Sequence, residues 1–296
     1  MKLTTLRGTV TALVTPFNKD GSIDYTSMDK LIDFQIENNI DSILVCGTTG
    51  ESPTLSSKEK TDIITHSVEY AAGRVPIIAG TGSNDTIESA KMTQIAKERG
   101  ADAALIVTPY YNKPTQNGLF EHFRYIADSV DLPQILYNVP GRTGTNVLPE
   151  TQLRVAEECK NVIATKEASG NIPQMAEIIH HKPEGFVLMS GDDLLTVPII
   201  SIGGSGVISV VSNSMPGKFK KLTDLALEGN YDQARKIHYE MLDMMNLNFI
   251  ESNPTPVKAA LATMGLIQEE YRMPIFPMSR ENKKILLAEM KKLGLI

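Results

Sequence analysis

The sequence repeats one rhythm eight times, and that rhythm limits the folds open to it. Short β-branched or aliphatic runs begin at residues 9, 41, 75, 103, 133, 162, 186 and 206: "TVTALVTP", "DSILVCG", "VPIIAGTG", "AALIVTP", "PQILYNVP", "VIATKEAS", "FVLMSGDD" and "GVISVVSN". Between them lie segments with helical spacing, such as Met28, Leu31, Ile32, Gln35 and Ile36, or Ile63, Ile64, Ser67, Val68 and Ala71. One strand and one helix recur every ~20–35 residues. Strands apolar on both faces that alternate with helices predict a parallel sheet covered on both sides. Eight such units predict an α/β fold of the (β/α)8, or TIM-barrel, type. A doubly wound open sheet is the competing architecture. No GxGxxG follows the first strand, and the unusual residues sit at most of the strand ends, where an open sheet would gather them at one switch point.

The chain has 296 residues, and α/β barrels often take ~250 residues as one unit. Residues 1–229 therefore read as a barrel carrying the active site. Residues 230–296 show no strand signal. Helical segments at 230–250, 254–265 and 279–294, punctuated by Pro254, Pro256, Pro274 and Pro277, are expected to form a C-terminal extension packed on the barrel.

Net charge is −6, so no broad basic field invites nucleic acid or an anionic membrane. The start, "MKLTTLRGTV", has no apolar leader core. No apolar run approaches the ~20 residues that span a bilayer. Cys46 and Cys159 form no CxxC, which fits buried packing and a reducing cytoplasm. His66, His122, His180, His181 and His238 show no HExxH or other ligand spacing, so no metal is expected.

In such a barrel the site is built by loops leaving the C-terminal strand ends. Those loops are "GTTGES" (47–52), "GTGSN" (80–84), "TPYYNKP" (108–114), "YNVPGRTG" (137–144), the end of strand six at Lys166, and "SGDD" (190–193). Each piece alone has a plainer reading. "GTTGE" serves as a turn before a helix capped by Ser56 or Ser57. Tyr110 and Tyr111 suit rim packing, and Arg142 suits a surface ion pair. "GGSG" (203–206) precedes strand eight, so it belongs to the opposite face and reads as a helix stop.

Lys166 resists the plain reading. Strand alternation puts it on one face with Ala164 and Val162, with Glu167 on the other. If that face is the barrel interior, the amine enters an apolar core, where lysine is rarely found. Desolvation there lowers its pKa and yields the neutral amine that attacks carbonyls.

"GTTGE", "TPYYNKP", "YNVPGRT", "KEASGN" and "GVISV", in this order and at these intervals, resemble the pyruvate-dependent class I aldolase and lyase family. That family includes N-acetylneuraminate lyases and dihydrodipicolinate synthases, and the resemblance runs from about residue 5 into the C-terminal helices. Arg142 in "YNVPGRT" favours the synthase branch. The resemblance implies a Schiff base between Lys166 and pyruvate, whose enamine condenses with L-aspartate-4-semialdehyde to give 4-hydroxy-tetrahydrodipicolinate for diaminopimelate and lysine biosynthesis. It implies Tyr137 as proton donor and acceptor, with Thr48 and Tyr111 as a relay. Thr48 and Thr49 would hold pyruvate's carboxylate, Arg142 the second substrate's, and Gly191 and Ile208 would line the lysine's surroundings. No cofactor is implied. Relatives supply the Tyr111 equivalent from a neighbouring subunit, which implies a homo-oligomer: a dimer at least, with a tetramer of two tight dimers the expected state. A lyase splitting N-acetylneuraminate or a keto-deoxy sugar acid stays open as an alternative, as does a keto-acid-binding barrel without turnover.

In relatives inhibited by lysine, the inhibitor's cleft matches Ser52, Pro53, Ser57, Lys60, Asn84, Glu88 and Tyr110. Ser57 and Lys60 depart from the sensitive pattern, which tends to carry histidines there. Weak or absent inhibition by L-lysine is therefore expected.

Overall fold

Eight parallel strands close into a barrel, each paired with the next and the last with the first. The computed structural model describes residues 5–296. Residues 1–4, where the barrel range and the leader reading begin, lie outside the described residues. In chain order the elements are β1 (Gly8–Ala12), α1 (Tyr25–Glu37), β2 (Ser42–Val45), α2 (Ser57–Ala71), β3 (Ile77–Gly80), α3 (Thr86–Glu98), β4 (Ala103–Val107) and α4 (Gln116–Ser129). Then follow β5 (Gln134–Asn138), the single turn α5 (Pro140–Thr143), α6 (Pro149–Glu158), β6 (Val162–Glu167), α7 (Ile172–His181), β7 (Val187–Ser190), α8 (Thr196–Ser201), β8 (Gly206–Ser209) and α9 (Pro216–Leu227).

Local chemistry sets the helix starts. Asp24, Asp85, Thr115 and Asn171 each accept a hydrogen bond from a first-turn N–H. Of the two serines read as a possible start for α2, Ser56 is the cap, in a reciprocal capping box with Glu59.

The strands carry two apolar layers. Val10, Leu44, Ile78, Leu105, Ile135, Ala164, Met189 and Ile208 fill the barrel interior. Their neighbours, among them Ile43, Val45, Ile77, Ile106, Leu136 and Leu188, pack under the helices. Burial on both faces is why the strands read as unbroken apolar runs.

One part of the sequence reading needs correction. Val162 does not share a face with Ala164 and Lys166. Gln134 pairs with Val162, but Ile135 pairs with Ala164, so the ladder slips by one residue at a bulge. Val162 packs in the outer layer, while Ile163 lies against the interior cluster. A bulge adds one residue and so reverses the facing on either side of it.

"GGSG" lies at the N-terminal end of the barrel. A Cβ at Gly206 would stand 2.0 Å from the Gly8 carbonyl oxygen, so glycine there serves strand approach.

Three helices follow: α10 (Tyr231–Leu247), α11 (Thr255–Thr263) and α12 (Arg280–Lys292). Met241, Met244, Met245, Leu286 and Met290 pack with Phe219 and Leu222 of α9, with Val207 of β8 and with Val211 just after it. This packing brings Asn246, Phe249 and Asn253 beside the C-terminal ends of the strands. No described helix is long and apolar enough to cross a membrane.

Candidate active site

Lys166 ends the interior run of β6 and stands in direct register with Tyr137 of β5. Its side chain is buried, and Nζ lies 4.3 Å from the centre of the Tyr137 ring. Burial lowers the amine from 10.5 to about 7, with the Asp193 carboxylate pulling it upward and the Arg142 guanidinium pushing it further down. A lysine so tuned holds a large neutral fraction near neutral pH.

The backing of the strand fixes that amine. Glu167 points outward into a buried polar network. It accepts hydrogen bonds from Asn138, from Ser169 Oγ (2.7 Å) and from Gln174 Nε2 (3.2 Å). Asn138 is also the register partner of Glu167, so the ends of β5 and β6 are tied twice. Gly191 gives the amine room, since a Cβ there would meet Ala168 Cβ at 2.6 Å and Lys166 Cε at 3.1 Å.

Asp193, in the loop after β7, is also buried. Its Oδ2 accepts from the backbone N–H groups of Val210 (3.1 Å) and Val211 (2.8 Å). Burial pushes its carboxyl up to about 6, against the lowering effect of those bonds. The Tyr137 phenol is raised by burial, while the Arg142 charge and a hydrogen bond with Thr48 act the other way.

Two joined cavities open here. The inner one, about 260 Å³, is lined by Thr48, Thr49, Tyr137, Arg142, Lys166 and Gly191. Six of the eight residues expected at the site therefore meet in one chamber. Ile208 lies deeper, in the interior layer, and Val210 takes the wall position. Tyr111 is not brought in. It is 89% exposed, at φ 73°, in the loop after β4. Arg142, on the single turn α5, forms no ion pair among the described residues, so the surface-pair reading of it has no partner here.

The outer cavity, about 420 Å³, shares Thr48, Tyr137, Val139 and Arg142 with the inner one. Ser52, Pro53, Ser57, Lys60, Glu88 and Tyr110 line it. Ser57 Oγ donates to Glu88 Oε1 (3.2 Å), and Asn84 Nδ2 donates to the Tyr110 carbonyl (3.2 Å) from outside the lining. All the expected regulatory positions except Asn84 thus line one cleft that joins the inner cavity.

The extension contributes residues that the sequence reading passed over. Asn246, Phe249 and Asn253 close one side of the inner cavity, and Asn253 Nδ2 donates to Thr49 Oγ1 (3.0 Å). Asp193 was visible within "SGDD", but its closeness to Lys166 was not. Among the described residues no group of three or more His, Cys, Asp or Glu is placed to hold a metal ion.

The profile of the dihydrodipicolinate synthetase family matches residues 5–293. A 4-hydroxy-tetrahydrodipicolinate synthase from Aquifex aeolicus is 48% identical over 289 residues, covering 98% of each chain. The crystal structure of the dihydrodipicolinate synthase from Aquifex aeolicus superposes with a TM-score of 0.97 at 47% identity, covering 98% of this chain and 99% of that one. The chloride-inhibited dihydrodipicolinate synthase from Acinetobacter baumannii, complexed with pyruvate, gives a TM-score of 0.96 at 42% identity, over 99% of this chain and all of that one. Likeness of this degree along almost the whole length settles the kinship of the barrel, its loops and its C-terminal helices: the chain belongs to the dihydrodipicolinate synthetase family.

Proposed function

We propose that the chain condenses pyruvate with L-aspartate-4-semialdehyde to give 4-hydroxy-tetrahydrodipicolinate, through a Schiff base on Lys166. The observation that carries this reading is the buried Lys166 amine, lowered to about 7, facing Tyr137 in a chamber that also holds Arg142.

The neutral amine adds to pyruvate's ketone. The carbinolamine loses water, and the iminium forms. Loss of a methyl proton gives the enamine, and the iminium nitrogen takes up the electron pair. The enamine carbon then attacks the aldehyde of the second substrate, whose amino group displaces Lys166 by closing the ring. Each step moves a proton, and Tyr137, beside the amine and bonded to Thr48, is placed to carry it. Thr48 and Thr49 offer hydroxyls and N–H groups to pyruvate's carboxylate. Arg142 offers its planar fork to the second carboxylate from the mouth shared by both cavities.

Tyr111 extends the relay only when another subunit lends it. Its exposed position supports a homo-oligomer, a dimer at least and a tetramer in the fullest form. Residues 1–229 serve as the catalytic barrel, 230–296 as its packed extension, and the cytoplasm as the compartment.

Parallel assays test the reading. Pyruvate with aspartate semialdehyde should give turnover, and N-acetylneuraminate should give none. The reverse pattern would make the chain a sugar-acid lyase, and no turnover with either would leave a binding barrel.

A further inference from the structure

Glu51 and Lys258 form an ion pair in which neither side chain has any solvent exposure, with Lys258 Nζ 2.6 Å from Glu51 Oε1. The partners come from distant parts of the chain: Glu51 ends the loop after β2, and Lys258 lies on α11. A pair this dry loses two hydration shells, so it is poor evidence of a contribution to stability. Its role must be sought in what it holds.

It holds the 47–51 loop. That stretch is bracketed by two non-glycine residues with left-handed backbone, Cys46 and Glu51, both at φ 55°. L-residues keep that conformation only where the surroundings impose it. Around Glu51 the surroundings are unusually complete. Its Oε2 accepts the Arg272 backbone N–H (3.1 Å), and its Oε1 takes Lys258. Lys258 Nζ lies 4.3 Å from the centre of the Phe17 ring and 5.2 Å from that of Tyr271, so its remaining hydrogens face aromatic rings. The same loop is gripped at Thr49 by Asn253 and at the Gly50 carbonyl by Thr15 Oγ1 (2.7 Å). Thr48 and Thr49 lie between these anchors and line the inner cavity.

We propose that the Glu51–Lys258 pair is a positioning device by which α11 fixes the loop that presents Thr48 and Thr49 to pyruvate's carboxylate. It rests on the assignment of that loop to pyruvate. Neither partner touches substrate; both act through the loop. Displacing reacting or binding groups by ~1 Å can cost ~100-fold, so loosening the loop appears in pyruvate recognition before it appears in the fold.

The test uses the full-length enzyme with Glu51→Gln and Lys258→Met together. The pair of changes removes both charges, keeps an acceptor for the Arg272 N–H and keeps side-chain length. The double variant should melt within a few degrees of the parent and still trap pyruvate on Lys166 at saturation. Its KM for pyruvate should rise by about tenfold or more, while the KM for aspartate semialdehyde moves less than about twofold. Glu51→Gln alone should show the same split, since a buried lysine without its partner can shed its proton. An unchanged pyruvate KM in a folded variant overturns the proposal. So does failure of both variants to fold, which makes the pair a structural requirement only. Thr48→Val and Thr49→Val separate this failure from that of the underlying assignment. If both leave the pyruvate KM unchanged, the loop's hydroxyls do not bind pyruvate and that assignment fails. If either raises the KM while the double variant does not, the positioning role alone is wrong.

Discussion

Lys166 and Tyr137 are register partners on adjacent parallel strands, and the lysine Nζ lies 4.3 Å from the centre of the tyrosine ring. The ring face shields the amine from water and tolerates its charge when the iminium forms. The phenol beyond it, bonded to Thr48, is able to give and take protons. The two functions of Tyr137 are therefore separable by mutation.

Tyr137→Phe keeps the ring and removes the hydroxyl. The kcat should fall by about 10²–10⁴-fold, the usual worth of a positioned acid or base. Thermal stability should change little, and pyruvate should still be trapped on Lys166, though slowly. A kcat within about threefold of the parent would remove Tyr137 from proton transfer.

The pH dependence of Schiff-base formation follows from the lowered amine. With Lys166 at about 7 in place of 10.5, the neutral form dominates above pH 7 and is lost below it. The trapping rate at limiting pyruvate should rise through a midpoint near 7 and level off in alkali. A midpoint near the ordinary lysine value would mean that the chamber is wetter than its burial indicates.

Arg142→Ala should harm the second substrate more than the first. Losing a charge-assisted hydrogen bond of ~1.5–3 kcal/mol should weaken aspartate semialdehyde use by about ten- to hundredfold. Because Arg142 also pushes the Lys166 pKa down, its loss should move the trapping midpoint upward, but trapping should persist. Steady-state kinetics with each substrate varied in turn decide this. Equal damage to both would give Arg142 the pyruvate or the loop.

L-lysine should inhibit weakly or not at all. The outer cleft holds Glu88 for an inhibitor's amines, but Lys60 lines the same space. Like charges ~6 Å apart repel by about 3 kcal/mol at an effective dielectric of ~20, and by less when solvated. Initial rates titrated with L-lysine at saturating pyruvate should stay flat into the millimolar range. Saturable inhibition below that would show that Asn84, Glu88 and Tyr110 suffice despite Lys60.

The barrel was legible because its two apolar layers leave a two-sided signature on every strand and a helical period between strands. Lys166 was legible because a cation at the end of such a strand contradicts its setting. The bulge before Ala164 was not, since an inserted strand residue carries no residue signature and "VIATKE" alternates plausibly either way. The contacts of the extension with the site were also hidden. Asn253 reaches Thr49 and Lys258 reaches Glu51 across more than two hundred positions, and the sequence showed only a helical segment at 254–265 opening on a proline. Tyr111 marks a different limit, because its expected place is beside another chain's site.

Borohydride reduction in the presence of pyruvate, followed by peptide mapping, tests the central claim most directly. One reduced pyruvate per chain, located on Lys166 and absent from Lys166→Ala, is the predicted result. A label on another lysine, or none under conditions where the enzyme turns over, would contradict the Schiff-base mechanism built on this residue.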